Sequence, residues 1–139
     1  MKTYLNFFSL AFIAAILFAS CSRTRDAIGL DTVYNQVKTG RWVIFERDVY
    51  TPPSASTGVH TDLLGDGQYL KFESNGVARI YNGDGTQTTT SHTYSFTDTK
   101  TMVLDGDTYK ITENLVGAFN KMTLTNEGTL SKTVYTIQR

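Results

Sequence analysis

The sequence is poor in cysteine, proline and histidine, and it has no excess of either charge. Its 139 residues include one Cys and two Pro, and a single cysteine excludes an intramolecular disulfide. Lys plus Arg number 13, and so do Asp plus Glu. Because no basic run is present either, the chain lacks the electrostatic signature of a nucleic-acid-binding protein. Hydrophobic residues make up 40% of the chain, which excludes wholesale disorder and is sufficient for one folded domain.

Sequence patterns for catalysis and metal binding are also missing. His60 and His92 are the two histidines, and their spacing is not that of metal ligands. The segments Asn82–Gly85 and Asp105–Asp107 resemble calcium loops only superficially, because neither continues to a distal Glu. No Gly-x-Ser-x-Gly motif occurs. We therefore predict a protein that is not an enzyme, with no catalytic residues, no metal site and no cofactor.

The first twenty residues predict a signal peptide. Lys2 precedes an apolar run over Leu10–Ala19, which is shorter than the about 20 apolar residues that span a bilayer. The sequence Phe18-Ala19-Ser20-Cys21 resembles a bacterial lipobox in the relaxed form found in lipoproteins of the Bacteroidetes group. The resemblance implies cleavage before Cys21 and acylation of its sulfur. A plain secretory signal followed by an incidental cysteine is the alternative.

We divide the chain into three parts. Residues 1–20 are the expected lipoprotein signal peptide, and residues 21–39 hold the lipidated Cys21, a polar tether and a short helix. Residues 40–139 form the folded domain. The tether lacks the acidic cluster that resembles a surface-export signal in some Bacteroidetes lipoproteins. We therefore expect a protein of the bacterial cell envelope, attached to the outer membrane through Cys21 and facing the periplasm.

The folded domain shows the alternation of apolar and polar residues that is typical of β-strands. Thr is abundant, and Tyr and Phe number 8 each, as suits pleated, half-buried surfaces. Before the strands, Leu30, Val33, Tyr34 and Val37 lie at helical spacing. Eight strands are predicted: Arg41–Tyr50, Gln68–Glu73, Val77–Tyr81, Gln87–Phe96, Thr101–Asp105, Thr108–Leu115, Ala118–Thr125 and Lys132–Gln138.

The short turns between these strands predict antiparallel pairing of neighbours. The fold that we expect is all-β, an eight-stranded antiparallel up-and-down barrel with a short N-terminal helix; a β-sandwich is the alternative. In one hairpin the register can be derived. A three-residue loop over Ser74–Gly76 pairs Phe72 with Ala78 and keeps the apolar residues on one face, whereas a two-residue turn does not.

A family resemblance enters at Gly40-Arg41-Trp42, which opens the first strand. It resembles the Gly-x-Trp signature of lipocalins and the wider calycin group, and the chain is similar to the short lipocalin-like lipoproteins of Bacteroidetes. The resemblance implies that Gly40, Trp42 and Arg139 form the closed end of the barrel, with the Arg139 guanidinium stacked on the Trp42 ring. Such a barrel is just wide enough to be filled by side chains or to hold one small ligand.

Two functions follow from these alternatives. In the first, a membrane-anchored lipoprotein binds a small hydrophobic ligand inside the barrel, and Leu63 and Leu64 cover its mouth from the long loop Thr51–Gly67. In the second, a filled barrel acts as a protein- or glycan-binding accessory or inhibitor module. Glu46 and Asp48 are interpreted as rim charges. The residues predicted to contact the ligand are Leu70, Phe72, Ile80, Tyr94, Phe96, Leu104, Tyr109, Leu124 and Tyr135.

Overall fold

The computed structural model describes residues 24–139, with side chains from residue 29 onward. The predicted signal peptide and the predicted lipidation site, Cys21, lie outside the described residues. In the described part, one helix is followed by nine strands: α1 (Thr24–Lys38), β1 (Ile44–Tyr50), β2 (Val59–Asp62), β3 (Tyr69–Phe72), β4 (Val77–Tyr81), β5 (Gln87–Asp98), β6 (Thr101–Leu104), β7 (Asp107–Ile111), β8 (Lys121–Glu127) and β9 (Lys132–Gln138).

The nine strands form one antiparallel sheet in the order β2-β1-β9-β8-β7-β6-β5-β4-β3. The sheet curls strongly. The curl is shown by Phe45 of β1, which contacts the His92 ring of β5 with 5.2 Å between ring centroids, although several strands lie between them in the sheet. Near one end of the curl, Trp42 and Leu70 form a single bridge pair. The Trp42 amide donates to the Leu70 carbonyl at 3.0 Å, and the Leu70 amide donates to the Trp42 carbonyl at 2.8 Å. The architecture is therefore mainly β, as predicted.

The prediction of eight strands was wrong, because the described residues contain nine. The additional strand, β2, lies inside the stretch Thr51–Gly67 that the sequence favoured as a loop. Its four residues are mostly exposed and lack an apolar alternation. They become a strand through pairing with β1, where Glu46 faces Asp62 and Val49 faces Val59. Tertiary pairing of this kind leaves little signal in a short polar segment.

The register of the β3–β4 hairpin is confirmed. Phe72 pairs with Ala78, and Leu70 pairs with Ile80, so the apolar residues of both strands share the inner face. Gly76 has φ +77°, which is the left-handed conformation that closes a three-residue loop. Lys71 faces Arg79, as that register requires. Arg79 instead forms an ion pair with Glu73 at 3.1 Å, which offsets the repulsion between the two cations.

A change of face occurs where the chain enters β1. Trp42 and Phe45 are both fully buried, although residues three apart on a regular strand point to opposite faces. Trp42 belongs to the bridge with Leu70, whereas Phe45 belongs to the ladder with β9. As a result, Arg47 lies on the inner face of the sheet with Phe45. Glu46 and Asp48 lie on the opposite face.

Helix α1 covers one end of the curled sheet. Val33 and Val37 are fully buried in the core that fills the concave side. The Tyr34 ring packs edge-on against Phe96, with centroids 5.2 Å apart, and its hydroxyl accepts a hydrogen bond from the Phe96 amide at 3.0 Å. These contacts place the predicted helix as part of the domain. At 15 residues, it is longer than the short turn expected from the sequence.

Candidate functional site

The residues predicted to contact a ligand are brought together on the inner face. Eight of the nine have 6% or less of their surface exposed, and Tyr135 packs against the same core. They contact one another: Phe72 and Tyr94 have ring centroids 4.9 Å apart, and Tyr109 and Tyr135 have centroids 5.4 Å apart. The interior of the sheet is therefore occupied by its own side chains where these residues meet.

Tyr94 shows how the polar atoms of this interior are satisfied. Its hydroxyl donates to the Glu73 carbonyl at 2.6 Å. Burial raises the pKa of Tyr94 to about 12. The buried phenol therefore serves here as a hydrogen-bond donor within the packed interior.

The end of the curled sheet that α1 covers contains the three residues that the family resemblance singles out. The guanidinium carbon of Arg139 lies 4.4 Å from the centroid of the Trp42 ring, which is the expected stacking contact. Arg139 also donates to the Gln36 carbonyl, and the Trp42 indole N–H donates to the Val37 carbonyl at 3.0 Å. Gly40 has φ +106°, a conformation that other residues rarely adopt. The first strand, the last residue and α1 therefore meet at this end.

The opposite end of the concave side is more polar. Arg47 lies beside Tyr135 in the β1–β9 ladder, and its Nε is buried without a hydrogen-bond partner among the described residues. His92 is held by Asp105, whose carboxylate lies 2.6 Å from Nδ1. Burial is the main cause that raises the pKa of Tyr109 far above its usual range, and neighbouring Tyr135 adds to it. Sequence reasoning missed Arg47. If the faces of the first strand are assigned by alternation from Trp42, Arg47 falls on the face opposite to Trp42.

Leu63 and Leu64 lie between β2 and β3. Leu64 is buried in the core, and Leu63 packs against it. The Leu63 amide donates to the Phe45 carbonyl at 2.9 Å, and the Leu64 amide donates to Asp62 Oδ1 at 3.0 Å. The two leucines are thus packed and hydrogen-bonded where the chain crosses from one edge strand of the sheet to the other. Their function as a cover for a ligand remains a prediction.

A cavity of about 350 Å³ opens on the surface beside this crossing, and we call it the seam pocket. One side is formed by Arg41, whose guanidinium carbon lies 4.4 Å from the centroid of the Tyr69 ring. Tyr69 stacks in turn on Tyr81, with centroids 5.5 Å apart and an interplanar angle of 14°. The residues that line the pocket are Arg41, Val43, Asp62, Leu64, Gly65, Asp66, Gly67, Gln68 and Tyr69.

The floor of the seam pocket is a tight turn from Gly65 to Gln68. The Gln68 amide N–H donates to the Gly65 carbonyl at 3.0 Å, and the Gly65 N–H donates to Gln68 Oε1 at 2.9 Å. Gln68 Nε2 donates to Asn82 Oδ1 at 3.0 Å. Gly67 has φ +72°, so the turn requires a glycine there. The turn is therefore fixed to the β4–β5 connection and presents a preformed wall.

Sequence reasoning missed the seam pocket. The sequence pattern places Arg41 in Gly40-Arg41-Trp42 at the start of a predicted strand, and Asp62 and Asp66 in a long loop. The available signal was the cluster of Asp and Gly residues at the end of that loop. Without the pairing of β1 with β2, nothing indicated that Arg41 lies beside it.

In the described part of the chain, no three His, Cys, Asp or Glu side chains lie close enough together to hold a metal ion. None of the described helical residues forms a segment long and apolar enough to cross a bilayer. Comparison with models of known protein families and with curated proteins found no match for this chain.

Proposed function

We propose that this protein is a lipid-anchored module of the bacterial cell envelope that binds a partner through its outer surface. In this proposal the β domain is a barrel whose interior is filled by its own side chains. The observation that carries it is the direct packing of the residues that would otherwise line a ligand cavity. For example, the single ring of Tyr94 contacts the rings of Phe72, Phe96 and Tyr34.

The ends of the barrel support the same function. Val33 and Val37 of α1, together with the Trp42–Arg139 stack, occupy one end. An apolar ligand entering there would have to displace these packed side chains and break the Trp42–Arg139 stack. Barrel closure is part of the proposal: the Trp42–Leu70 bridge and the packed Leu63 and Leu64 would close the gap between β2 and β3.

The position of the predicted anchor fits a binding module. The family resemblance of the residues around Cys21 implies acylation there, and α1 begins at Thr24, three residues later. Since α1 packs into the closed end, a lipid on Cys21 would hold that end of the domain close to the membrane. The remaining surface would face the periplasm. This arrangement suits an accessory or inhibitor that acts on envelope components.

Native mass spectrometry tests the filled interior. The chain would be expressed from residue 21 with the substitution Cys21→Ser and measured straight from a cell extract, before and after an organic-solvent wash. We expect the bare protein mass in both measurements. A discrete extra mass that the wash removes would overturn the proposal and favour the hydrophobic-ligand carrier.

A variant provides a positive control for that experiment. Leu104 is 3% exposed and lies on the inner face. The substitution Leu104→Ala opens an apolar cavity, and dry cavities of this kind take up benzene. We expect benzene to bind to Leu104→Ala and not to the parent chain. Uptake by the parent would indicate that the interior already contains accessible space.

The lipid anchor is tested separately in cells. Metabolic labelling with a palmitate analogue should label the intact chain, and Cys21→Ser should lose both the label and the membrane attachment. Ser22→Thr is the control, because it lies outside the four-residue lipobox and leaves the acylated sulfur in place. An unlabelled wild-type chain would contradict the anchor while leaving the filled interior unaffected.

A further inference from the structure

We propose that the seam pocket is a carbohydrate-binding site that takes one or two sugar units of an uncharged glycan. This inference rests on the proposed function, because it names the outer-surface site and the class of its ligand. The pocket, with its volume of about 350 Å³, lies at the lower end of the range of about 300–1,000 Å³ that is typical of small-molecule sites.

Arg41 supplies fixed hydrogen-bond donors. Its guanidinium is held against the Tyr69 ring, and Tyr69 is held by Tyr81, so the side chain is oriented before a ligand arrives. The ion pairs of the described residues join His60 to Asp48, Arg79 to Glu73 and His92 to Asp105, and none of them includes Arg41. A planar guanidinium carries five N–H donors. No hydrogen bond or ion pair among residues 29–139 uses these donors, so they are available to a ligand.

Asp62 and Asp66 supply the acceptors. Asp62 uses Oδ1 to accept the Leu64 amide, which fixes the direction of its carboxylate, and Asp66 is exposed at the turn. Hydrogen bonds to a carboxylate or a guanidinium are roughly twice as strong as those between neutral groups. A sugar hydroxyl both donates and accepts, so neighbouring hydroxyls match a pocket that is lined by a cation and by carboxylates.

The charge of the pocket argues against ionic ligands. One cation and two carboxylates line it, so an anion attracted to Arg41 is repelled by Asp62 and Asp66. A simple cation meets the opposite problem at Arg41. An uncharged polyhydroxylated ligand makes charge-assisted hydrogen bonds to all three without either penalty.

Val43 completes the match with an apolar surface. Its side chain is 54% exposed although it borders the pocket, and the C–H face of a sugar ring can cover it. Tyr69 is only 8% exposed, so it supports Arg41 instead of offering a free face for stacking. With one small apolar contact and a few strong hydrogen bonds, we expect weak binding of single disaccharides, with Kd in the millimolar range.

The test is amide NMR of the chain as the cell processes it, purified in a detergent without a sugar headgroup. Maltose, cellobiose, lactose and N,N′-diacetylchitobiose are added separately, and glycylglycine serves as a zwitterionic probe. We expect at least one disaccharide to shift the amides of Arg41 and of residues 65–69, with the rest of the spectrum unchanged. No shift with any of the four sugars, or a shift with glycylglycine alone, would overturn the inference.

Matched variants make the result specific. Asp62→Asn and Arg41→Gln each remove one charged partner, and each should weaken the binding about tenfold. Asp107→Asn is the control, because Asp107 is also exposed but lies outside the pocket. Equal loss in all three variants would overturn the assignment. Amide shifts outside the pocket report whether each variant keeps its fold.

The inference and the proposed function fail in different ways. Absent sugar binding together with a bare native mass overturns the seam pocket and leaves the filled module standing. A bound apolar ligand in the native mass spectrum overturns the filled module. Sugar-dependent shifts at residues 65–69 would then still assign the pocket.

Discussion

Two parts of the sheet, the strands β3 to β9 and the part around β1, are held together by different kinds of pairing. From β3 to β9, every strand pairs with the next strand along the chain, and the connections are mostly short. On the other side, β1 pairs with β9, and the bridge from Trp42 to Leu70 joins residues that are far apart in sequence. Local pairing is specified by turn residues and alternation, whereas distant pairing depends on a few large side chains at the meeting point. We call this second side, from β9 through β1 to the Trp42–Leu70 bridge, the seam side. Single substitutions there should therefore show which residues stabilise the fold and which serve function.

The largest effect is expected for Trp42→Ala, at the end of the sheet that α1 covers. Trp42 is fully buried, stacks under Arg139, packs edge-on against Phe72 and donates to the Val37 carbonyl. We expect a loss of about 3–5 kcal/mol in the free energy of unfolding, as is usual for truncating a buried aromatic. Urea unfolding followed by circular dichroism measures it.

Trp42→Phe is the matched variant for that experiment. It keeps a ring for packing but loses the indole hydrogen bond to Val37. We expect a clearly smaller loss than for Trp42→Ala. If Trp42→Ala costs under about 1 kcal/mol, as surface substitutions do, then distant contacts do not hold the seam side together.

Leu64→Ala comes next, and it separates a core residue from a loose cover. Leu64 is 9% exposed and belongs to the core cluster. We expect a loss of about 2–3 kcal/mol, near the lower end for buried leucines because the site is at the edge of the core. Thermal unfolding of Leu64→Ala is compared with that of Leu130→Ala, since Leu130 is 80% exposed. Indistinguishable melting temperatures would instead favour a loosely attached loop.

The same division explains what could be derived from the sequence. The β3–β4 register followed from Asn75-Gly76 and from the alternation on both strands, because a one-residue slip would expose Leu70 and Phe72. The contact of Arg139 with Trp42 came from a family resemblance. Both rest on short patterns that carry their own physical constraint.

The seam could not be derived in that way. β2 has the sequence Val-His-Thr-Asp, which lacks a turn signal and an apolar face. The inner face of β1 depends on the change between Trp42 and Phe45, and this change arises because the two residues pair with different strands. The seam pocket could not be predicted for the same two reasons, since Arg41 and Asp62 line one cavity only after those pairings form.

Arg47→Met tests the polar end of the interior and should stabilise the protein. The Nε of Arg47 is buried without a hydrogen-bond partner among the described residues, and such a donor costs about 1–3 kcal/mol. Met keeps the apolar length of the side chain. We expect a gain of about 1 kcal/mol in urea unfolding, since part of the guanidinium is still hydrated. Arg79→Met, which loses the ion pair with Glu73, should show a small loss; a loss of similar size for Arg47→Met would contradict the prediction and show that its guanidinium stabilises the fold.

A smaller effect is expected in acid on the β3–β4 hairpin. Hydrogen bonds from Tyr81 and Arg79 lower the pKa of Glu73 below its usual value of 4.5. A carboxyl with a lowered pKa in the folded state stabilises it fully above pH 4.5, and this stabilisation is lost as the pH falls through the folded value. The stability difference between the parent and Glu73→Gln, measured by thermal unfolding, should therefore shrink below pH 4.5. A constant difference down to pH 2 would contradict the lowered pKa.

The smallest effect is expected for His60 on the seam side. Its pH dependence is opposite to that of Glu73, because the stabilisation is lost as the pH rises. His60 on β2 is hydrogen-bonded to Asp48 on β1 at 2.9 Å. That hydrogen bond is the main cause that raises the pKa of His60 above 6.5, and Glu46 and Asp62 add smaller attractions. A raised pKa gives stabilisation that is complete below pH 6.5 and is lost as the pH rises through the folded value. The protection of the β2 amides against hydrogen exchange, corrected for the intrinsic exchange rate, should therefore be lower at pH 8 than at pH 6. His60→Gln removes the titrating group, so its β2 protection should not change over this range; an equal change in both proteins would show that the pair does not stabilise the edge strand.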